Sequence, residues 1–161
     1  MISIARMFLD DHKARFADSK QRIIGVLTQL SDEDVNWRAN SECNSITNLI
    51  LHLCGNLQDR FGANITGEPS IRNRPAEFDT TALRSKAELL TMIEPVFALV
   101  DETLGRLPLA CLYDTTTVHG KQLNLLELID RTATHTSEHI GQIIYIAKIR
   151  LGPRYQYMLK L

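Results

Sequence analysis

The chain has 161 residues, 44% hydrophobic and 23% charged, with a formal net charge of −1. That length suits one well-buried core and is short for two, and the near-neutral balance gives no general drive towards nucleic acid or acidic lipid. Cys43, Cys54 and Cys111 are scattered with no C-x-x-C pair, which argues against a disulfide framework or zinc knuckle and fits a reducing cytoplasm; no signal-peptide core precedes Asp10 and no apolar run reaches membrane-spanning length.

Four helical patterns follow in chain order. The first runs from about Ser3 to Leu30, with Ala5, Phe8, His12, Phe16, Ile23, Val26 and Leu30 on one face. Ser31-Asp32-Glu33-Asp34 reads as a stop, and Trp37 is expected in the loop beyond it, over the bundle end. Ser45 is an N-cap for a second helix, with Ile46, Leu49, Leu53, Leu57 and Phe61 on its apolar face and an end near Gly62. Gly62 to Asp79 carries Gly67, Pro69 and Pro75 and reads as a long loop of the kind that is often functional. A third helix is expected from Asp79 or Thr80 to Leu107-Pro108, with Leu83, Ala87, Leu90, Phe97, Val100 and Leu104 facing inward and a kink at Pro95. Cys111 to Leu123 is β-branched around His119-Gly120, an extended turn. Asn124 and Glu127 form a capping-box pattern opening a fourth helix that ends at Gly152-Pro153. The expected architecture is an all-α four-helix bundle with long connections, one domain over 1–161.

The fourth helix carries the chemistry. His135 and His139 lie four residues apart, hence on one helical face, in line with Leu125, Leu128, Ile143 and Ile146. A buried imidazole is costly unless hydrogen-bonded, so two stacked on a core face point to a bound metal, against core histidines satisfied by Thr132, Gln142 or backbone carbonyls. Zinc and its neighbours take at least three protein ligands as a rule. His12, His52 and His119 are the candidates for the third: His12 within the apolar stripe of the first helix, His119 in an exposed turn, and His52 at the edge of the second helix. Spacing does not choose among them.

Three blocks in order, His52–Phe61, Arg72–Phe78 and His135–Ile143, the last reading H-x-x-x-H-x-G-Q-I, resemble the DinB-like superfamily, closest to its YfiT-like branch of small bacterial metal-binding bundles. The resemblance implies a divalent metal, nickel or zinc, on His52, His135 and His139, and a four-helix bundle that commonly forms homodimers. It also implies kinship with thiol S-transferases that use small bacterial thiols and with hydrolase-like proteins. His135 to His139 also matches H-x-x-E-H, the inverzincin protease pattern, but no Asp or Glu follows Glu138 to supply the downstream ligand that pattern requires. Glu138 points roughly 100° away from His139 and is expected to be solvated.

Helical geometry nominates the surroundings. Gln142 shares the face of His135 and His139, and Asn56 lies one turn after His52; either can orient a ligand. Arg131, one turn before His135, and Arg60, two turns after His52, can flank a pocket, and with Arg72 and Arg74 of the long loop can hold a carboxylate or phosphate. The competing expectation is that these arginines pair with Glu68, Glu77 or Asp59. Three function classes remain: a metal-dependent enzyme acting through an activated small-molecule thiol, or water as nucleophile; a metal-binding protein without turnover; and a structural or interaction module. No motif indicates nucleic-acid contact.

Overall fold

Every α-helix among the described residues starts on a side chain that caps it. Ser3, Ser31, Ser45, Asn73, Ser85 and Asn124 each accept a hydrogen bond from the backbone N–H three residues on, satisfying donors that the first turn leaves free. In the computed structural model, which describes residues 3–157, the elements that follow are α1 (Ile4–Leu27), α2 (Asp32–Asn36), α3 (Ile46–Leu57), α4 (Arg74–Glu77), α5 (Lys86–Arg106), strands β1 (Thr115–Val118) and β2 (Lys121–Asn124), and α6 (Leu125–Leu151). The remaining ends of the expected 1–161 domain lie outside the described residues.

Four long helices make the bundle. α1 packs chiefly against α5 and α6, and α3 against the same two, so α1 and α3 face each other across it. Leu9, Phe16, Ile23 and Leu27 of α1, Leu49, Leu53 and Leu57 of α3, Ile93, Val100 and Leu104 of α5, and Ile129, Ile143 and Ala147 of α6 are buried in one cluster. The all-α expectation holds, with one small antiparallel hairpin added.

Several boundaries differ from the sequence reading, each for a local reason. Ser31 to Asp34 is not a stop but a capping box opening α2, since the Asp34 carboxylate accepts from the Ser31 N–H at 3.1 Å. Trp37 follows it, half-buried under the Arg150 guanidinium from the last turn of α6, 5.3 Å above the ring. The second bundle helix does not end at Gly62; it widens into a π-helix, Gln58–Thr66, closed by Gly67 in the left-handed region at φ 79°. The third starts later than expected, at Lys86, where Ser85 and Glu88 form a capping box, which leaves Leu83 outside it and 64% exposed. It continues through Pro95 to Arg106. Asn124 caps α6 as expected, but the Glu127 carboxylate pairs with Arg131 instead of closing a box.

The extended turn around His119-Gly120 is a two-residue hairpin, registered from Thr115 opposite Asn124 to Val118 opposite Lys121. Both turn residues have positive φ, 49° and 77°, the backbone that matches the twist of such hairpins. Asn64 Nδ2 donates to Thr116 Oγ1 at 3.3 Å and Arg60 Nη2 donates to His119 Nε2 at 3.1 Å, fastening the hairpin to the π-helix.

Candidate metal centre

α3 and α6 are neighbours, and their contact brings three imidazoles together. His52 stands on α3, 5% exposed, and His135 and His139 stand one turn apart on α6, both half-buried. The α6 histidines sit at the margin of its buried face, which runs through Leu128, Thr132, Thr136 and Ile143, rather than in its centre. His135 Nε2 is 3.2 Å from His52 Nε2 and 3.1 Å from His139 Nε2, and the three nitrogens lie within 4.8 Å of one another. His12 and His119, the other candidates for a third ligand, are engaged elsewhere: His12 with the Phe8 carbonyl and Asp130, His119 with Arg60.

The ring nitrogens away from this point fix the tautomers. His52 Nδ1 donates to Glu77 Oε2 at 2.8 Å, and His139 Nδ1 donates to Gln142 Oε1 at 2.8 Å. Each ring then turns an Nε2 lone pair towards His135. A single proton on His135 Nε2 can serve only one of two such lone pairs, whereas a cation serves all three nitrogens. Two imidazole nitrogens on a tetrahedral ion at the usual metal–nitrogen distance stand about 3.3 Å apart, so the two spacings from His135 fit. The group can hold a divalent metal.

The expected pairing of an arginine with Glu77 holds for Arg72, but the pair is buried beside His52 rather than lying on the surface. Glu77 is 6% exposed, and Arg72 clamps it with Nε to Oε1 at 2.7 Å and Nη2 to Oε2 at 2.9 Å. Arg72 Nη2 also lies 3.3 Å from His52 Nδ1, but both groups are donors once Nδ1 gives its proton to Glu77. Gly55 makes this possible: a Cβ there would stand 2.2 Å from Glu77 Oε1. Asn48 Nδ2 donates to the Glu77 carbonyl at 3.0 Å, and Arg38 in turn hydrogen-bonds Asn48 Oδ1, so the segment bearing Glu77 is tied to the start of α3. The expected long loop is therefore in part the π-helix and α4, with the Phe78 ring tilted against the His52 ring at 4.9 Å.

The other nominated residues divide. Asn56 and Arg60 are buried and line the cavity beside His52 and His135, but neither hydrogen-bonds the three histidines among the described residues. Arg60 is held by Asp59 at 2.7 Å. Arg131 pairs with Glu127 on the exposed rim, and Arg74 rests on the Phe78 ring at 5.2 Å. Arg72 points inward to Glu77 instead of converging with Arg74. Glu138 is exposed, as expected. Cys54, behind Glu77, is buried, and that burial pushes its thiol up to about 12, which removes it as a nucleophile.

Burial lowers the His52 pKa against the opposing pull of Glu77. Burial first, then repulsion from His139, His52, Arg72 and Arg60, brings His135 down to about 4. Both rings are thus neutral, and able to ligate, at neutral pH. For the metal-free protein, the unfolded chain binds more protons than the native one between the unfolded histidine value near 6.5 and about 4. Its stability is expected to fall by on the order of 2 kcal/mol as pH drops through that window, and the His135→Ala variant should show a flatter profile in chelator-treated urea titrations. Parallel profiles for the two proteins would contradict the assignment.

A family model described as "Protein of unknown function (DUF1572)" matches residues 3–159. No curated protein matches the chain. Among solved structures, the one described as the conserved protein of locus from Enterococcus faecalis aligns with a TM-score of 0.78 at 14% identity, over 94% of this chain and 99% of that one. At that identity the likeness is one of fold.

Proposed function

The chain belongs to the DUF1572 family, and we propose that it is a metal-dependent enzyme of the DinB-like superfamily, nearest the YfiT-like branch, holding one nickel or zinc ion on His52, His135 and His139. The observation that carries this reading is the convergence of three Nε2 atoms while Glu77 and Gln142 hold the protons on the far side of two of the rings. When bound, a divalent ion on neutral imidazoles keeps its charge and acidifies a thiol or water beside it.

The chain's own residues narrow the chemistry. The cavity of about 400 Å³ opening on His52 and His135 is lined by no cysteine, serine or carboxylate. The Thr132 hydroxyl on its wall is committed to the Leu128 carbonyl at 2.6 Å. The nucleophile is therefore brought in with a substrate or is water. With no carboxylate in the cavity to serve as general base, a thiol, which loses its proton near 8.5, needs far less assistance than water. Val118, Leu123 and Leu128 supply apolar wall for the electrophile's body.

The test compares two reactions of metal-loaded, tag-free protein: conjugation of a fluorogenic alkyl bromide with a small thiol, and hydrolysis of an activated ester. The expected result is a thiol-dependent rate at least about tenfold over background that disappears in His139→Ala, with ester hydrolysis equal in both proteins. Hydrolysis that depended on His139 without any thiol would assign water as nucleophile. Neither reaction at full metal loading would make the centre one without turnover in these chemistries.

A further inference from the structure

The cavity opening on His52 and His135 carries a charge arrangement that metal binding does not require. Its wall presents Arg60, Arg72, Arg74, Lys121 and Arg131 with no carboxylate among the lining residues. Three of these cations already have partners: Arg60 has Asp59 and Arg72 has Glu77 behind the wall, and Arg131 has Glu127 on the exposed rim. Arg74 and Lys121 have no ion-pair partner among the described residues; Arg74 only rests on Phe78.

Their placement is built rather than incidental. Lys121 opens β2 directly after the left-handed His119-Gly120 turn, and the Arg60–His119 and Asn64–Thr116 hydrogen bonds hold that hairpin against the π-helix. Arg74 opens α4, whose far end supplies Glu77 to His52. The two unpaired cations thus come from separate elements, each anchored to the helix that bears His52, and both face one cavity of small-molecule size. Cations lining a concave wall with no opposing carboxylate concentrate positive potential there and draw in small anions.

We propose that this cavity is an oxyanion subsite in which Arg74 and Lys121 bind the carboxylate or phosphate of a small substrate whose reacting group lies at His52, His135 and His139. The proposal rests on the metal-centre reading for the position of the reacting group; recognition of the anion depends on the arginine and lysine. Arg74 offers a planar fork suited to two oxygens of one group, and Lys121 a mobile point charge that follows it. A neutral analogue of the same size leaves both cations solvated and gains nothing from them.

Inorganic phosphate and succinate, titrated separately by calorimetry into the full chain at low ionic strength, test it. Each titration is done on chelator-stripped and on nickel-loaded protein, with wild type, the double variant Arg74→Gln/Lys121→Gln, and Arg106→Gln as a control on a distant exposed arginine. The expected result is saturable binding of at least one anion, weakened about tenfold or more in the double variant, the scale of a lost charge-assisted contact, and unchanged in the control. Nickel stoichiometry should be the same in all three. A preference for phosphate points to a phosphate ester as substrate, and a preference for succinate to a carboxylate. Equal affinity in wild type and double variant, equal loss in the control, or no saturable binding of either anion overturns the subsite while leaving the metal centre standing. Anion binding that survives in a chain taking up no nickel overturns the metal reading instead.

Discussion

Replacing His135 by alanine is expected to lower nickel or zinc affinity by roughly a thousandfold while the fold persists. His135 holds the central nitrogen of the three, within 3.2 Å of His52 Nε2 and 3.1 Å of His139 Nε2. Structural zinc sites bind with roughly 10–16 kcal/mol in total, so loss of one donor among three or four costs about 4 kcal/mol. The metal-free fold owes the ring little, because His135 Nδ1 is buried without a hydrogen-bond partner. Chelator competition reads the affinity, and paired thermal melts read the fold. Melting of the metal-free variant should stay close to wild type, and the rise on adding metal should vanish. Undiminished affinity would remove His135 from the centre.

Replacing Glu77 by alanine should do the opposite, unsettling the fold even without metal. The carboxylate is 6% exposed and accepts from His52 and twice from Arg72. Its loss leaves a guanidinium side chain 9% exposed with only Asp59, at 3.8 Å, as counter-charge. Removing one member of a buried ion pair costs about 3–5 kcal/mol, which for a chain of this size is about 10 °C in melting temperature. Freeing the His52 ring should weaken metal binding a further 10- to 100-fold, roughly, as loss of an orienting partner does. Glu127→Ala, which breaks the exposed pair with Arg131, should change stability by no more than about 1 kcal/mol. Urea denaturation of the metal-free proteins checks the contrast; similar small losses from both would show that Glu77 does not anchor Arg72 and His52.

Much of this architecture could be read along the chain because its signals are local. The caps at Ser45 and Asn124 and the glycine after Leu151 fix helix limits to within a turn. Local signals also misled where two meanings share one pattern. Ser31 to Asp34 has the polarity of a loop, and only the reciprocal bond between Ser31 and Asp34 makes it a helix start. Gly62 resembles a terminator, but a π-helix carries the chain past it to Thr66, turning Arg60 towards the hairpin. Pairwise geometry on a single helix placed Gln142 beside His139. Glu77 reaches His52 from another element, through a gap that only Gly55 leaves, and no periodicity encodes such a contact. Arg72 and Arg74 flank Asn73, the cap of α4, and its turn sends one to Glu77 and the other to the cavity. The Lys121 position depends on both turn residues adopting positive φ, which Gly120 signals in the sequence and which a histidine adopts only uncommonly.

The measurement that bears most directly on the three-histidine centre is calorimetric titration of nickel and zinc into tag-free, chelator-stripped wild-type chain at neutral pH, with the triple variant His52→Ala/His135→Ala/His139→Ala alongside. Saturation at one ion per chain is expected in the wild type, with no comparable binding in the variant. No saturable uptake by the wild type, or equal stoichiometry and affinity in a folded triple variant, would contradict it.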